Sequence, residues 1–195
     1  AARLREFVDA VGLPRFHLAG NSMGGHIAAR FAIDHPERVL SLMLINAAGV
    51  TSPQPSEFAL ALKRGQNPLL VATVEDFDRV MALTFVKPPP IPSFLKRYFA
   101  ERAVANRAFN DKIFADLRQR PDPLEGELSK LRPSTLVLWG DTDRIIDVSA
   151  AQVFASGIPG AQLAVLKDCG HVPMIERPEE TAQRYLTFLS ALAPR

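Results

Sequence analysis

The chain has 195 residues, 47% of them hydrophobic and 23% charged, which suits one domain with a sizeable core and excludes intrinsic disorder, a collagen-like repeat or a coiled coil. Its 23 Lys and Arg against 21 Asp and Glu leave a net charge of +2, with no basic run of the kind that binds nucleic acid. A single cysteine, Cys169, excludes an intrachain disulfide framework, and no stretch approaches the roughly 18 apolar residues of a membrane-spanning helix.

Leu4, Phe7, Val8 and Val11 recur at helical spacing, and Gly12 ends that pattern. Phe16 to Ala19 reads as a short strand entering Gly20-Asn21-Ser22-Met23-Gly24-Gly25, and a helix with Ile27, Ala28, Phe31 and Ala32 on one face follows until His35-Pro36. Val39 to Ile45 is almost continuously apolar, as expected of a strand buried on both faces of a parallel sheet. Leu136 to Trp139 and Leu163 to Leu166 are two more such runs. A helix is expected between them, capped by Asp147 or Ser149 and closed by Gly157 as its C′ residue. The last helix starts at Pro178 and presents Ala182, Tyr185, Leu189 and Leu192 inward. Strand and helix alternate, which predicts an α/β fold with a parallel sheet. Residues 1–50 and 129–195 form its core. Residues 51–128 read as an inserted helical cap, crossed by the rigid segment Lys87-Pro88-Pro89-Pro90-Ile91-Pro92.

Chemistry concentrates in three places. Gly20-Asn21-Ser22-Met23-Gly24 is a G-x-S-x-G pattern set between a strand and a helix, where the chain must turn sharply with Ser22 at the tip. Side chains at Gly20 or Gly24 are expected to collide with that turn. The Met23 amide, at a helix N-terminus, is placed to stabilise an oxyanion. A serine hydroxyl needs a base, and the base needs an orienting acid. Of the four histidines, His17 lies within a strand, His35 ends a helix, and His26 reads as a polar residue beneath the cap. His171 follows the last strand, at the carboxyl end of a parallel sheet, where catalytic groups gather. The acid comes from Gly140-Asp141-Thr142-Asp143-Arg144-Ile145-Ile146-Asp147. There Asp147 suits a helix cap, while Asp141 and Asp143 both stay candidates, with Asp143 reaching further over the sheet edge.

These segments, with Cys169-Gly170-His171-Val172-Pro173-Met174-Ile175-Glu176-Arg177-Pro178, together resemble the α/β-hydrolase superfamily along the whole chain. The sequence looks most like its bacterial lipase and carboxylesterase branch, related to monoacylglycerol lipases. Asn67-Pro68-Leu69-Leu70 and Phe85-Val86-Lys87-Pro88-Pro89 in the cap carry that likeness. The resemblance implies Ser22 as nucleophile, Asp143 rather than Asp141 as acid, and His171 as base, in the family's chain order. It also implies ester cleavage through an acyl-enzyme with no metal or organic cofactor. A small-molecule ester or lipid would bind between sheet and cap, with Asn21, Leu69, Leu70, Ile145, Val172 and Met174 as substrate-binding candidates and Ile146 and Phe94 beside them. Similar motifs occur in hydrolases that cleave carbon–carbon bonds of ring-fission dienones, although those usually place Trp after the histidine, where this chain has Val172. A non-catalytic binding protein is the third reading. In the superfamily, strands preceding the elbow carry a His-Gly motif that supplies a second oxyanion amide. This sequence begins at Ala1 in the helix before the elbow strand, so those strands are expected to lie outside it, its own corresponding to the family's fifth to eighth.

Overall fold

A computed structural model describes residues 1–119 and 121–192. The chain runs α1 (Ala2–Ala10), β1 (Phe16–Asn21), α2 (Met23–Asp34) and β2 (Val39–Ile45), then α3 (Glu57–Lys63), α4 (Val74–Thr84), α5 (Ser93–Ala105) and α6 (Arg107–Gln119). It returns to β3 (Ser134–Gly140), α7 (Ser149–Gly157), β4 (Gln162–Leu166), α8 (Pro173–Glu176) and α9 (Pro178–Leu192). The four strands form one parallel sheet in the order β1-β2-β3-β4.

The apolar runs of β2 and β3 are central strands and are buried on both faces along most of their length, whereas the third run, expected to be buried in the same way, is β4 at the end of the order, with Leu163 and Val165 exposed. Along β2, Leu42 and Leu44 point into a core with α1, α2 and α7, while Met43 and Ile45 point into a second core with α9. On β3, Val137 and Trp139 share the first core, and Leu136 and Leu138 the second. That period of two, doubled over both faces, is why neither strand alternates in polarity. Among the described residues β1 does alternate, with His17 and Ala19 exposed, and His17 Nδ1 meets Ser41 Oγ of β2 at 2.8 Å.

Three local expectations change. Helix α7 begins at Ser149 with Val148 as its N-cap, so neither Asp147 nor Ser149 holds that position, although Asp147 Oδ1 accepts from Ser149 N at 2.9 Å. Gly157 is the last residue of α7 rather than a left-handed C′ residue. Its lack of a side chain makes room for Leu128, whose Cδ1 would lie 2.6 Å from an added Cβ. On α9 the inward positions are Thr181, Tyr185, Phe188, Leu189 and Leu192. Ala182 is exposed, because the helix turns Thr181 and Phe188, seven positions apart, toward the sheet.

The segment between β2 and β3 holds α3 to α6. Ser56 caps α3 by accepting from Ala59 N at 3.0 Å, and its hydroxyl donates to Ile145 O at 2.8 Å. Helix α4 opens on a capping box in which Thr73 Oγ1 accepts from Asp76 N and Asp76 Oδ2 accepts from Thr73 N. Residues 86–92 are neither helix nor strand, as their prolines require. Helix α5 does not present an apolar face inward. Phe94, Tyr98 and Phe99 are 75%, 57% and 44% exposed, so Phe94, expected beside the substrate, lies on the outer side of the inserted segment. Among the described residues no helix is long and apolar enough to cross a membrane.

Candidate active site

Ser22 stands where β1 ends and α2 begins, with φ of 56° and ψ of −124°, a conformation that costs a residue with a Cβ about 1–3 kcal/mol. The surrounding backbone holds it there. Ser22 N donates to Ile45 O at 3.0 Å, and Ser22 O accepts from Ala48 N at 2.9 Å and from Gly25 N at 3.0 Å. The turn is tight enough that a Cβ on Gly20 would lie 2.2 Å from Gly24 O, and one on Gly25 would lie 2.5 Å from Ala47 Cβ. Gly24 departs from expectation. An added Cβ there meets nothing within 4 Å, because that residue faces away from both strands, and Gly25 is the glycine that lets α2 approach the chain beyond β2. Gly20→Ala is therefore expected to lower stability by about 1–3 kcal/mol, the usual cost of overpacking. Gly24→Ala should stay within about 0.5 kcal/mol of the parent. Urea unfolding of the two variants measures the difference.

His171 and Asp143 are brought together by the loops after β4 and β3. His171 Nδ1 lies 2.8 Å from Asp143 Oδ2, and both residues are 5% exposed. The carboxylate is saturated. Its Oδ1 accepts from Ile145 N at 2.8 Å and Ile146 N at 3.0 Å, and its Oδ2 also accepts from Asn46 Nδ2 at 2.6 Å. An acceptor-only carboxylate in that position sets the imidazole proton on Nδ1 and leaves Nε2 as a lone-pair base. Asp141 is exposed and occupied with the turn itself, its Oδ1 accepting from Thr142 Oγ1 at 2.8 Å and Cys169 N at 3.4 Å.

Asn46 has no counterpart in the sequence reading. It is fully buried at the carboxyl end of β2, with φ of 44°. Besides Asp143, its Nδ2 reaches Gly170 O at 3.3 Å, and its Oδ1 accepts from Gly140 N at 3.4 Å. One amide thus joins the acid to the loop of the histidine. The signal that could have marked it is a polar residue directly after a doubly buried strand, at the sheet end where site groups collect. Asn21 does similar work: its Nδ2 donates to Ile45 O and to His171 O, each at 3.1 Å.

A cavity of about 660 Å³ opens at Ser22 and lies within the usual range for a small-molecule site. Ser22, Met23, Ile145 and Ile146 line it from the sheet side, and Phe58, Leu62, Leu69, Ile113, Phe114 and Leu117 from the inserted segment. Phe58 and Phe114 pair across α3 and α6 with ring centroids 6.4 Å apart. Of the residues expected around a substrate, Leu69, Ile145 and Ile146 are in this lining. Asn21 is engaged in bracing the elbow, Met174 packs into the core beneath α9, and Val172 is the N-cap of α8 and not in the lining. Leu70 follows the turn at Asn67 and is not in the lining, and Phe94 points to solvent. Cys169, two residues before His171, is fully buried, and burial pushes its thiol up to about 12, so it is held as the unreactive thiol.

A family profile described as alpha/beta hydrolase fold matches residues 1–178. The chain belongs to the α/β-hydrolase fold family. Within that family it is similar to Lipase 3 of Moraxella sp. (strain TA144), 34% identical over 194 residues, which cover 98% of this chain and 62% of the lipase. It is also similar to a monoacylglycerol lipase of Xenopus laevis, 33% identical over 201 residues, covering 97% of this chain and 60% of that one. Among solved structures, the crystal structure of a membrane phospholipase A, a bacterial virulence factor, matches with a TM-score of 0.97 at 52% identity, covering 100% of this chain and 63% of that one. This α/β hydrolase is thus a relative of the monoacylglycerol lipases, and it spans about three fifths of the length of the curated relatives it matches.

Proposed function

We propose that the protein is a serine hydrolase of carboxylic esters, working on lipid-like esters such as acylglycerols through an acyl-enzyme. The observation that carries this reading is the saturated Asp143–His171 pair, 2.8 Å apart, in the fold that also holds Ser22 in a strained turn at an apolar cavity. The lipase names of the relatives agree with it. Residues 51–128 act as the cap, and the remaining core carries the chemistry.

In this reaction His171 Nε2 takes the proton of Ser22 Oγ as the oxygen attacks the ester carbonyl. The oxyanion is met by the amide of Met23, the first residue of α2 and thus one of the helix's unpaired donors. The intermediate collapses, and His171 returns the proton to the departing alcohol. Water, deprotonated by the same imidazole, then attacks the acyl carbon and releases the carboxylic acid and Ser22. The ester's acyl chain lies among Leu62, Leu69, Phe114 and Leu117, where its burial contributes roughly 0.8 kcal/mol per methylene.

A panel of p-nitrophenyl esters of increasing chain length, a monoacylglycerol and a ring-fission dienone tests the assignment. Release of acid from the esters and the monoacylglycerol, with kcat/KM rising with chain length until the cavity is full, is the expected result. Turnover of the dienone alone would overturn it.

A further inference from the structure

Glu176 ends the short helix α8, five residues after His171, and is half-buried. Its carboxylate receives three hydrogen bonds, all from backbone amides, and they come from two separate parts of the chain. Oε1 accepts from Val86 N at 2.9 Å and Lys87 N at 2.7 Å, in the segment that leaves α4. Oε2 accepts from Gly170 N at 2.8 Å, next to His171. The same segment is fastened to the site twice more. His171 N donates to Thr84 O at 2.8 Å, and the guanidinium of Arg144, the neighbour of Asp143, donates to Ala82 O and to Phe85 O. The contact leaves no slack, since a Cβ on Gly170 would lie 2.4 Å from Thr84 O. The end of α4 therefore touches both loops that carry the acid and the base, and Glu176 is the side chain that spans the joint.

We propose that Glu176 is a positioning residue: by fastening residues 84–87 of the inserted segment to Gly170, it fixes the His171 imidazole on Asp143. The proposal rests on the reading of His171 as the general base. It ties the order of the inserted helices to the order of the base, so that displacing the end of α4 displaces the imidazole. The chemistry demands a carboxylate. Two oxygens, each an acceptor only, can face amides on both sides. A carboxamide keeps one such oxygen and turns an NH2 toward an N–H on the other side, so one end of the joint opens.

Glu176→Gln is the test, with the exposed Glu179→Gln as control and Gly170→Ala as a second variant that forces the joint apart from the opposite side. Three experiments are run: steady-state kinetics for kcat and KM on a p-nitrophenyl ester, the rate at which a fluorophosphonate labels Ser22, and the proton NMR signal of His171 Nδ1–H. In Glu176→Gln and Gly170→Ala, kcat and the labelling rate should fall about 10- to 100-fold, the cost of a misplaced catalytic group. KM should stay within about twofold of the parent in both variants, and the Nδ1–H signal should shift or broaden. Glu179→Gln should match the parent in all three. An unchanged Nδ1–H signal with unchanged kcat in Glu176→Gln overturns the proposal, and so does a rise in KM alone, which would make the joint a wall of the cavity. If the parent is not labelled at Ser22 while Glu176→Gln still moves the Nδ1–H signal, the hydrolase reading falls and the positioning of His171 by Glu176 stands.

Discussion

Ser22→Ala is expected to remove ester hydrolysis almost entirely, by about 10⁶-fold in kcat, as loss of a serine nucleophile does where serine and histidine act as one unit. A fluorophosphonate should form a single adduct on the parent, and mass mapping should find it on Ser22. The protein has other serines, and the contrast among them is physical. Ser41 and Ser56 are buried, with their hydroxyls engaged by His17 and by Ile145 O, so neither offers a free nucleophile. Ser22 alone combines a positive φ, a place in the lining of the cavity and an adjoining helix N-terminus. The fold should survive the change, because the backbone bonds that hold the elbow run from Ser22 N and O and not from the hydroxyl. Thermal unfolding followed by circular dichroism checks that point. An adduct on another serine, or residual turnover near the parent's, would overturn the assignment of the nucleophile.

What the sequence made legible follows from where each signal is stored. Strands β2 and β3 could be read within a residue or two because both faces of each are buried, which leaves an apolar run with little else it could be. Helix α2 and the turn before it were legible for a different reason: the glycines answer to backbone collisions a few residues away, a local constraint. Even so, the local reading misassigned one of them, since Gly25 packs against Ala47, beyond the next strand, while Gly24 is open. Helix α8 went unread because a single turn has no periodicity and is held by its neighbours. The cavity lining was read only where it lies next to the motifs, at Ile145 and Ile146, and at Leu69. Phe58, Ile113, Phe114 and Leu117 share a cavity with Ser22 through the placement of α3 and α6, which no spacing in the chain encodes. Asn46 is the sharpest case. Its partner Asp143 lies 97 positions later, and locally it looks like no more than the polar residue that ends a strand.

The choice between Asp141 and Asp143 predicts a second large effect. Asp143→Asn should lower kcat by about 10⁴-fold while the protein stays folded, and Asp141→Asn should leave kcat within a few-fold of the parent. Asp143 takes two backbone amides on Oδ1, and on Oδ2 it takes Asn46 Nδ2 together with His171 Nδ1. An asparagine at 143 can keep the Ile145 and Ile146 amides on its one oxygen, which preserves the loop. Its NH2 then faces two donors. It can accept from neither, so the imidazole is driven to carry its proton on Nε2 and present Nδ1 as the acceptor. That tautomer has no lone pair to offer Ser22, and turnover falls although every atom of the site is near its former place. At Asp141 both bonds, from a hydroxyl and from an amide 3.4 Å away, fall on Oδ1 alone, so an asparagine keeps them on its one oxygen and its NH2 is left to water on the exposed turn. Asn46→Leu adds a control on the same logic. It removes a donor from Asp143 without touching the histidine's tautomer, so its loss should be smaller than that of Asp143→Asn. Steady-state kinetics on one p-nitrophenyl ester, with folding checked by near-ultraviolet circular dichroism, ranks the three. Asp141→Asn proving the most damaging would move the acid to Asp141 and overturn the reading of the pair.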